Sequence, residues 1–172
     1  LEIKENHKDC ILFFRLGDFY EMFFEDAVTA SEILDITLTG KACGLKERAP
    51  MCGIPYHSSQ GYIQKLILAG KKVAVCEQVE DPSQAKGIVK REVVKIVTPG
   101  TIIDEDIKKK KKNNYLLSFL INNTNVDISY IDISTGELST TVINKSELSD
   151  LFFKINPSEI ITNASSKEIL DS

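Results

Sequence analysis

The sequence lacks the features that mark membrane-spanning, secreted or zinc-binding proteins. No apolar run approaches the roughly 20 residues that a transmembrane helix needs, and the first residues do not resemble a signal or transit peptide. The four cysteines, at positions 10, 43, 52 and 76, include no close pair. This spacing excludes a Cys-x-x-Cys metal or redox motif and favours free thiols, buried for structural reasons, in a reducing compartment.

Groups that could perform catalysis are also scarce. His7 and His57 are the only histidines, and we interpret them as a solvated residue and a local hydrogen-bonding group. The motifs of serine hydrolases, zinc proteases and phosphate-binding loops are absent. Asp127, Asp132 and Glu137 offer carboxylates for Mg²⁺, but Asp127 and Asp132 lie an odd number of residues apart and therefore on opposite faces of a regular strand. We interpret these acids as structural or exposed, and we predict neither a metal site nor a catalytic residue.

The composition is that of an ordinary globular protein with unevenly placed charge. The 172 residues are 42% hydrophobic and 27% charged, enough for one core or for one domain and part of another. The net charge is −4, yet residues 40–95 hold ten basic and five acidic side chains. A basic segment of this kind can supply phosphate contacts, and a solvated face is the alternative. Because residue 1 is leucine rather than methionine, we expect a fragment or a processed form.

An aromatic hairpin is the most distinctive local pattern. Residues 10–24 consist of two short apolar strands joined by Gly17-Asp18. Glycine at the first position of a two-residue loop accepts the positive φ of a type II′ turn. Since side chains alternate along a strand, Phe19 and Glu21 should lie about 6.5 Å apart on one face. A ring beside a carboxylate at the tip of a hairpin is unusual for a core, although a purely structural hairpin is the alternative.

The rest of the chain alternates between helical and extended patterns, which predicts an α/β fold with a mixed sheet. We expect residues 1–8 to end a helix, residues 41–50 to form a basic loop, and Ser58 and Ser146 to cap helices. The expected helices are 25–35, 59–69 and 146–153, and the expected strands are 36–40, 72–79, 88–97, 115–121, 126–133, 137–143 and 159–162.

A run of lysines marks the expected domain boundary. Lys108 to Lys112 and the two asparagines that follow are typical of a solvated connector, with a direct DNA contact as the alternative. We therefore predict a first domain at 1–107, a linker at 108–114 and the start of a second domain at 115–172. In that second part, three antiparallel strands, a helix and a parallel strand resemble the opening of a ribonuclease H-like fold, which needs more residues than remain.

Several blocks of sequence resemble the MutS family of DNA mismatch repair proteins. They follow one another in order at 14–23, 34–39, 50–57, 74–79, 94–101, 113–116 and 132–137. The resemblance implies a compact mixed-sheet mismatch-recognition domain, followed by an incomplete connector domain of the ribonuclease H-like kind. It also implies a bacterial, cytoplasmic, nucleoid-associated protein that contacts no membrane.

The resemblance assigns roles to the hairpin. In the family, a phenylalanine stacks on the mispaired or unpaired base from the minor groove and a glutamate hydrogen-bonds that base. These roles fall on Phe19 and Glu21. The loop that ends at Pro50-Met51, which departs from the family in length and composition, would lie alongside in the groove. Its candidate contacts to the DNA backbone or groove are Lys41, Lys46, Arg48, Pro50 and Met51.

The resemblance also implies partners of the full-length protein. MutS proteins work as homodimers, bind and hydrolyse ATP with Mg²⁺, and recruit MutL partly through the connector domain. The ATPase apparatus is absent from these 172 residues, so we expect them to form no enzyme and to hold no cofactor. Two alternatives from other classes are a Mg²⁺-dependent ribonuclease H-like nuclease and a protein-interaction module.

Overall fold

The computed structural model forms two compact units, Leu1–Thr98 and Pro99–Ser172. It describes residues 2–44, 47–80, 89–102, 113–163 and 166. Each unit is built on one mixed sheet, which confirms the predicted α/β class. The lysine run at 108–112 lies outside the described residues, so the linker there stays a prediction.

The first unit contains a six-stranded sheet with the strand order β3-β4-β2-β1-β5-β6. Strands β1 and β5 are parallel, and the other neighbours are antiparallel. A single 3-10 turn, Tyr56–Ser58, precedes helix α3. The elements are α1 Glu2–Glu5, β1 Cys10–Leu16, β2 Phe19–Phe23, α2 Phe24–Leu34, β3 Thr39–Lys41, β4 Ala49–Pro55, α3 Ser59–Leu68, β5 Lys72–Gln78 and β6 Arg91–Val97.

The strands on either side of the basic loop differ from the prediction. The strand expected at 36–40 begins only at Thr39, because pairing with β4 starts there and residues 36–38 connect the end of helix α2 to the strand. Asp35 takes a left-handed φ of 54°, and the backbone N–H of Ile36 donates to the Ser31 carbonyl at 3.1 Å. Strand β4 in turn begins at Ala49, inside the expected loop, because Ala49 is buried and pairs with β3.

The main core of the first unit lies between the sheet and helices α2 and α3. Phe13, Met22 and Cys52 are buried on this face, and fully buried Ala27 on α2 lets the Cys52 thiol approach its carbonyl at 3.5 Å. Burial raises the pKa of the Cys52 thiol to about 11. Three of the four cysteines are buried as predicted, whereas Cys43 is exposed in the basic loop, so the prediction of burial is wrong there.

The second unit contains a four-stranded sheet with the order β10-β7-β8-β9, in which β10 runs parallel to β7. The elements are β7 Tyr115–Asn122, β8 Asn125–Asp132, β9 Glu137–Asn144, α4 Leu148–Ile155 and β10 Glu159–Thr162. The predicted succession of three antiparallel strands, a helix and a parallel strand is therefore confirmed.

Helix α4 begins differently from the prediction. A 3-10 turn, Lys145–Glu147, precedes it, and Asn144 rather than Ser146 provides the cap. The Asn144 side chain accepts from the backbone N–H of Glu147, and the Glu147 carboxylate accepts from the Asn144 backbone N–H at 2.9 Å. The helix packs on a core that includes Leu117 and Phe119.

Candidate functional site

The tip of the β1–β2 hairpin presents an aromatic ring to solvent. Gly17 takes a φ of +57°, as the predicted turn requires, and Leu16 pairs with Phe19 across it. Phe19 is 49% exposed, whereas Tyr20 is buried. The alternation predicted for this strand is therefore confirmed, and a core role for Phe19 is excluded.

Glu21 lies on the same face as Phe19, beside an open groove. It pairs with Gly53 on β4, which has no side chain to cover the carboxylate. The groove is lined by side chains of β2, β3 and β4 and of the segment between α2 and β3, among them Phe19, Glu21, Ile36, Thr37, Thr39 and Met51.

The carboxylate of Glu21 is not free in this groove. Lys41 Nζ lies 2.5 Å from Glu21 Oε2, and the two side chains are 41% and 16% exposed respectively. The same ammonium group lies 5.7 Å from the centroid of the Phe23 ring. Lys41 therefore lies beside the face of the hairpin that carries Phe19 and Glu21, and it partly neutralises the charge of Glu21.

The structure brings some of the predicted loop residues to the groove and leaves others away from it. Lys41 and Met51 border it. Pro50 precedes Met51 on β4 and, by alternation, faces the opposite side of the sheet. Arg48 is exposed in the loop just before β4, and Lys46 lies outside the described residues.

A cluster behind the hairpin was missed by sequence reasoning. Arg15, Tyr20, Tyr56 and Glu77 meet on the face opposite Phe19, and the Arg15 guanidinium carbon lies 3.4 Å from the centroid of the Tyr56 ring. The Tyr20 hydroxyl donates a hydrogen bond to Glu77, and burial together with this bond raises the pKa of Tyr20 to about 12. The available signal was that all four residues belong to the family-like blocks 14–23, 50–57 and 74–79.

Of the three candidate acids, Asp132 and Glu137 are partners across β8 and β9, whereas Asp127 lies five residues away on β8. Asp127 is exposed on β8, while Asp132 is only 1% exposed and accepts hydrogen bonds from Ser134 N at 2.9 Å and Ser134 Oγ at 2.7 Å. Burial by itself would raise the pKa of Asp132, but these bonds hold that pKa below its ordinary value. Asp132 therefore holds the turn after β8. Within the described residues, no group of histidine, cysteine and acidic side chains is placed to hold a metal ion.

Among the described residues, no helix combines the length and apolar character needed to span a membrane.

The first unit is a small mixed-sheet α/β domain that exposes an aromatic ring at the tip of a hairpin. The family model described as MutS domain I matches residues 1–106, more than half of the chain, and the chain therefore belongs to the MutS family.

Curated relatives agree with this assignment. The DNA mismatch repair protein MutS of Clostridioides difficile (strain 630) is 60% identical over 163 residues, which cover 95% of this chain and 17% of that protein. The proteins of the same description from Acetivibrio thermocellus and Alkaliphilus oremlandii are 59% and 58% identical over 95% and 94% of this chain. The chain spans 17–19% of the length of these relatives.

Proposed function

We propose that the first unit recognises mispaired or unpaired bases in duplex DNA, with Phe19 entering from the minor groove and Glu21 hydrogen-bonding the displaced base. The observation that carries the proposal is the 49% exposed ring of Phe19 at the tip of a hairpin, beside a groove that contains Glu21. An apolar wedge unstacks and kinks DNA at a lower cost where base pairing is already defective. The wedge therefore selects defects by their deformability.

Basic side chains of the 41–50 loop support this assignment. Lys41 borders the recognition face, and Arg48 is exposed in the adjoining loop. Cations at these positions suit contacts with the phosphate backbone, which supply affinity without regard to sequence. Lys46 adds a third charge to the loop by sequence. In this proposal the loop holds the duplex while the hairpin probes it.

The proposal extends to a longer protein in which this chain is one part. The support is the description of the relatives as DNA mismatch repair proteins, of which the chain spans 17–19%. We assign residues 1–107 to the mismatch-recognition domain, 108–114 to a linker and 115–172 to the start of a connector domain. The full-length protein would be a cytoplasmic, nucleoid-associated homodimer that binds ATP and Mg²⁺ and recruits MutL through the connector.

The test compares G·T-mismatched and matched duplexes by fluorescence anisotropy at fixed salt, using the full-length gene product. Phe19→Ala should abolish the preference for the mismatch, because stacking of an aromatic ring on a base contributes about 1–3 kcal/mol. The matched control is Phe153→Ala, which removes a ring that is 90% exposed in the second unit and should leave the preference intact.

The melting temperature separates recognition from folding in the same experiment. Since Phe19 is half exposed, its truncation should change the melting temperature little. A large drop would make Phe19 a structural residue. Equal binding of the unsubstituted protein to both duplexes, or a mismatch preference that survives Phe19→Ala, would overturn the proposed function.

A further inference from the structure

The turn that presents Phe19 is held from behind by the side chain of Arg15. The Arg15 Nε donates to the carbonyl of Gly17 at 2.5 Å. The guanidinium is stacked on Tyr56, with 3.4 Å between its central carbon and the ring centroid, and its Nη1 lies 3.7 Å from Glu77 Oε2. The Arg15 side chain is largely buried, so solvent screens these contacts only weakly.

Contacts from three other strands or their ends fix the same turn. The backbone N–H of Tyr56 donates to the carbonyl of Asp18 at 3.0 Å, so both turn carbonyls are hydrogen-bonded to the protein. Arg91 on β6 donates from its Nε to the carbonyl of Arg15 at 2.9 Å. Through Glu77, strand β5 is joined to Arg15 and to the Tyr20 hydroxyl. The tip is therefore braced by β4, β5 and β6 rather than by the hairpin alone.

A wedge can unstack bases only if the backbone behind it does not yield. Phe19 directly follows the turn, so backbone motion at Gly17 and Asp18 also moves the ring. This motion must be restricted on binding, and the lost conformational entropy lowers the affinity. We propose that Arg15 is a positioning residue for the recognition of mispaired DNA, which fixes the turn that carries Phe19. This inference rests on the proposed function and deepens it.

Arginine suits this role better than lysine would. Its planar guanidinium stacks on an aromatic ring while its nitrogens reach a carbonyl and a carboxylate in fixed directions. A lysine ammonium keeps the charge but loses the stacking geometry and the fork. Arg15→Lys is therefore the informative substitution, and Tyr56→Leu removes the stacking partner independently.

The first arm of the test measures the motion of the side chain at position 19. The chain contains no tryptophan, so Phe19→Trp introduces a single indole into the 172-residue chain, which can be excited selectively over the tyrosines. In that background, Arg15→Lys and Tyr56→Leu should each increase the amplitude of nanosecond motion in the time-resolved anisotropy of the indole. The control is Lys4→Met, which should leave the motion unchanged. It removes an ion pair elsewhere in the first unit, in which Lys4 Nζ lies 2.8 Å from Asp26 Oδ1.

The second arm measures recognition in the full-length gene product with Phe19 in place. Arg15→Lys should lower the affinity for a G·T mismatch about fivefold, the scale of one stacking contact, with the affinity for matched duplex unchanged. In a Phe19→Ala background the same substitution should cause no further loss of discrimination, because no ring remains to be positioned. A role in stability alone would not produce this dependence on Phe19.

The outcomes separate this inference from the proposed function. If the unsubstituted protein shows no mismatch preference, the proposed function fails, and the recognition role of Arg15 fails with it. If the preference exists but Arg15→Lys changes neither the indole motion nor the discrimination, only the positioning role is overturned. A change in the indole motion without a change in discrimination also overturns the positioning role. Should Arg15→Lys not fold by circular dichroism, Tyr56→Leu decides, and misfolding of both would make the cluster a folding requirement and overturn the role.

Discussion

At the residue scale, the ion pair between Glu21 and Lys41 resolves an electrostatic difficulty of the proposed function. A carboxylate beside DNA phosphates is repelled by them, and that repulsion would weaken every complex. Lys41 Nζ, 2.5 Å from Glu21 Oε2, offsets this charge in the groove itself. Because Lys41 is 41% exposed, the pair is screened by solvent, and the attraction between the two side chains contributes about 0.2–1 kcal/mol to the free energy of unfolding.

We expect the contributions of Lys41 and Glu21 to DNA affinity to be coupled. Lys41→Met should weaken binding to duplex DNA more in the unsubstituted protein than in a Glu21→Gln background, by about 0.5 kcal/mol. The difference arises because the amide leaves no charge for Lys41 to offset. A double-mutant cycle measured by anisotropy at low salt reports this coupling.

Arg48→Met is the matched control for that cycle. Arg48 is a cation of the same loop, exposed and on the approach to β4, and its loss should cost the same affinity in both backgrounds. Equal losses for Lys41→Met in both backgrounds would show that Lys41 contacts only phosphate and does not serve Glu21.

At the residue scale, the sequence predicted those features that are determined by neighbouring residues in the chain. The positive φ at Gly17 and the shared face of Phe19 and Glu21 follow from a turn and a two-residue period, and both are confirmed. The stacking of Arg15 on Tyr56 depends on which strands become neighbours across the sheet. No local pattern carries that information, so the brace behind the hairpin became visible only in the fold.

At the element scale, the start of helix α4 shows why a serine near a helix is weak evidence for a cap. Ser146 stands next to the expected helix, but a 3-10 turn extends the helical segment toward the N-terminus and moves the cap to Asn144. Glu147 then stands three residues after the cap and completes a capping box. The sequence pattern Asn-x-x-Glu was the better signal.

We expect Asn144→Ala to destabilise the chain and Ser146→Ala to leave it nearly unchanged. Loss of an N-cap side chain costs about 1 kcal/mol, because an amide N–H at the helix start loses its partner. Urea unfolding followed by circular dichroism measures both free energies of unfolding on the same 172-residue chain. A larger loss for Ser146→Ala than for Asn144→Ala would restore the cap that the sequence first suggested.

Strands were predicted more reliably than the points at which they begin. The three antiparallel strands of the second unit, β7 to β9, follow the alternation of their side chains, and their observed bounds lie close to the predicted ones. The predicted start of strand β3 was wrong. The alternation in Ile36-Thr-Leu-Thr favoured a strand, but the left-handed turn at Asp35 directs this segment along the groove. Ile36 and Thr37, which were predicted as strand but lie outside β3, line the candidate site.

At the scale of the whole molecule, net charge opposes the proposed function while its distribution supports it. The chain carries −4 overall, but residues 40–95 hold ten of its 21 basic side chains. Lys41, which borders the groove, and Arg48, in the adjoining loop, lie in that segment, whereas residues 1–39 hold nine acidic and three basic side chains. Duplex DNA should therefore be held through a few local contacts, with binding that is weak for the chain alone and strongly dependent on salt.

The slope of log K against log salt counts those contacts. Each phosphate that the protein neutralises contributes about −0.9, so Arg48→Gln should make the slope shallower by about 0.9. Replacing the five lysines at 108–112 with glutamine should leave the slope unchanged, since we interpret them as a solvated connector. Both slopes are obtained by anisotropy titration of a G·T duplex across a salt series with the full-length gene product. If removal of the lysine run makes the slope shallower by several units, that run is instead a principal DNA contact. The basic loop at 41–50 would then account for the orientation of the duplex rather than for most of the binding affinity.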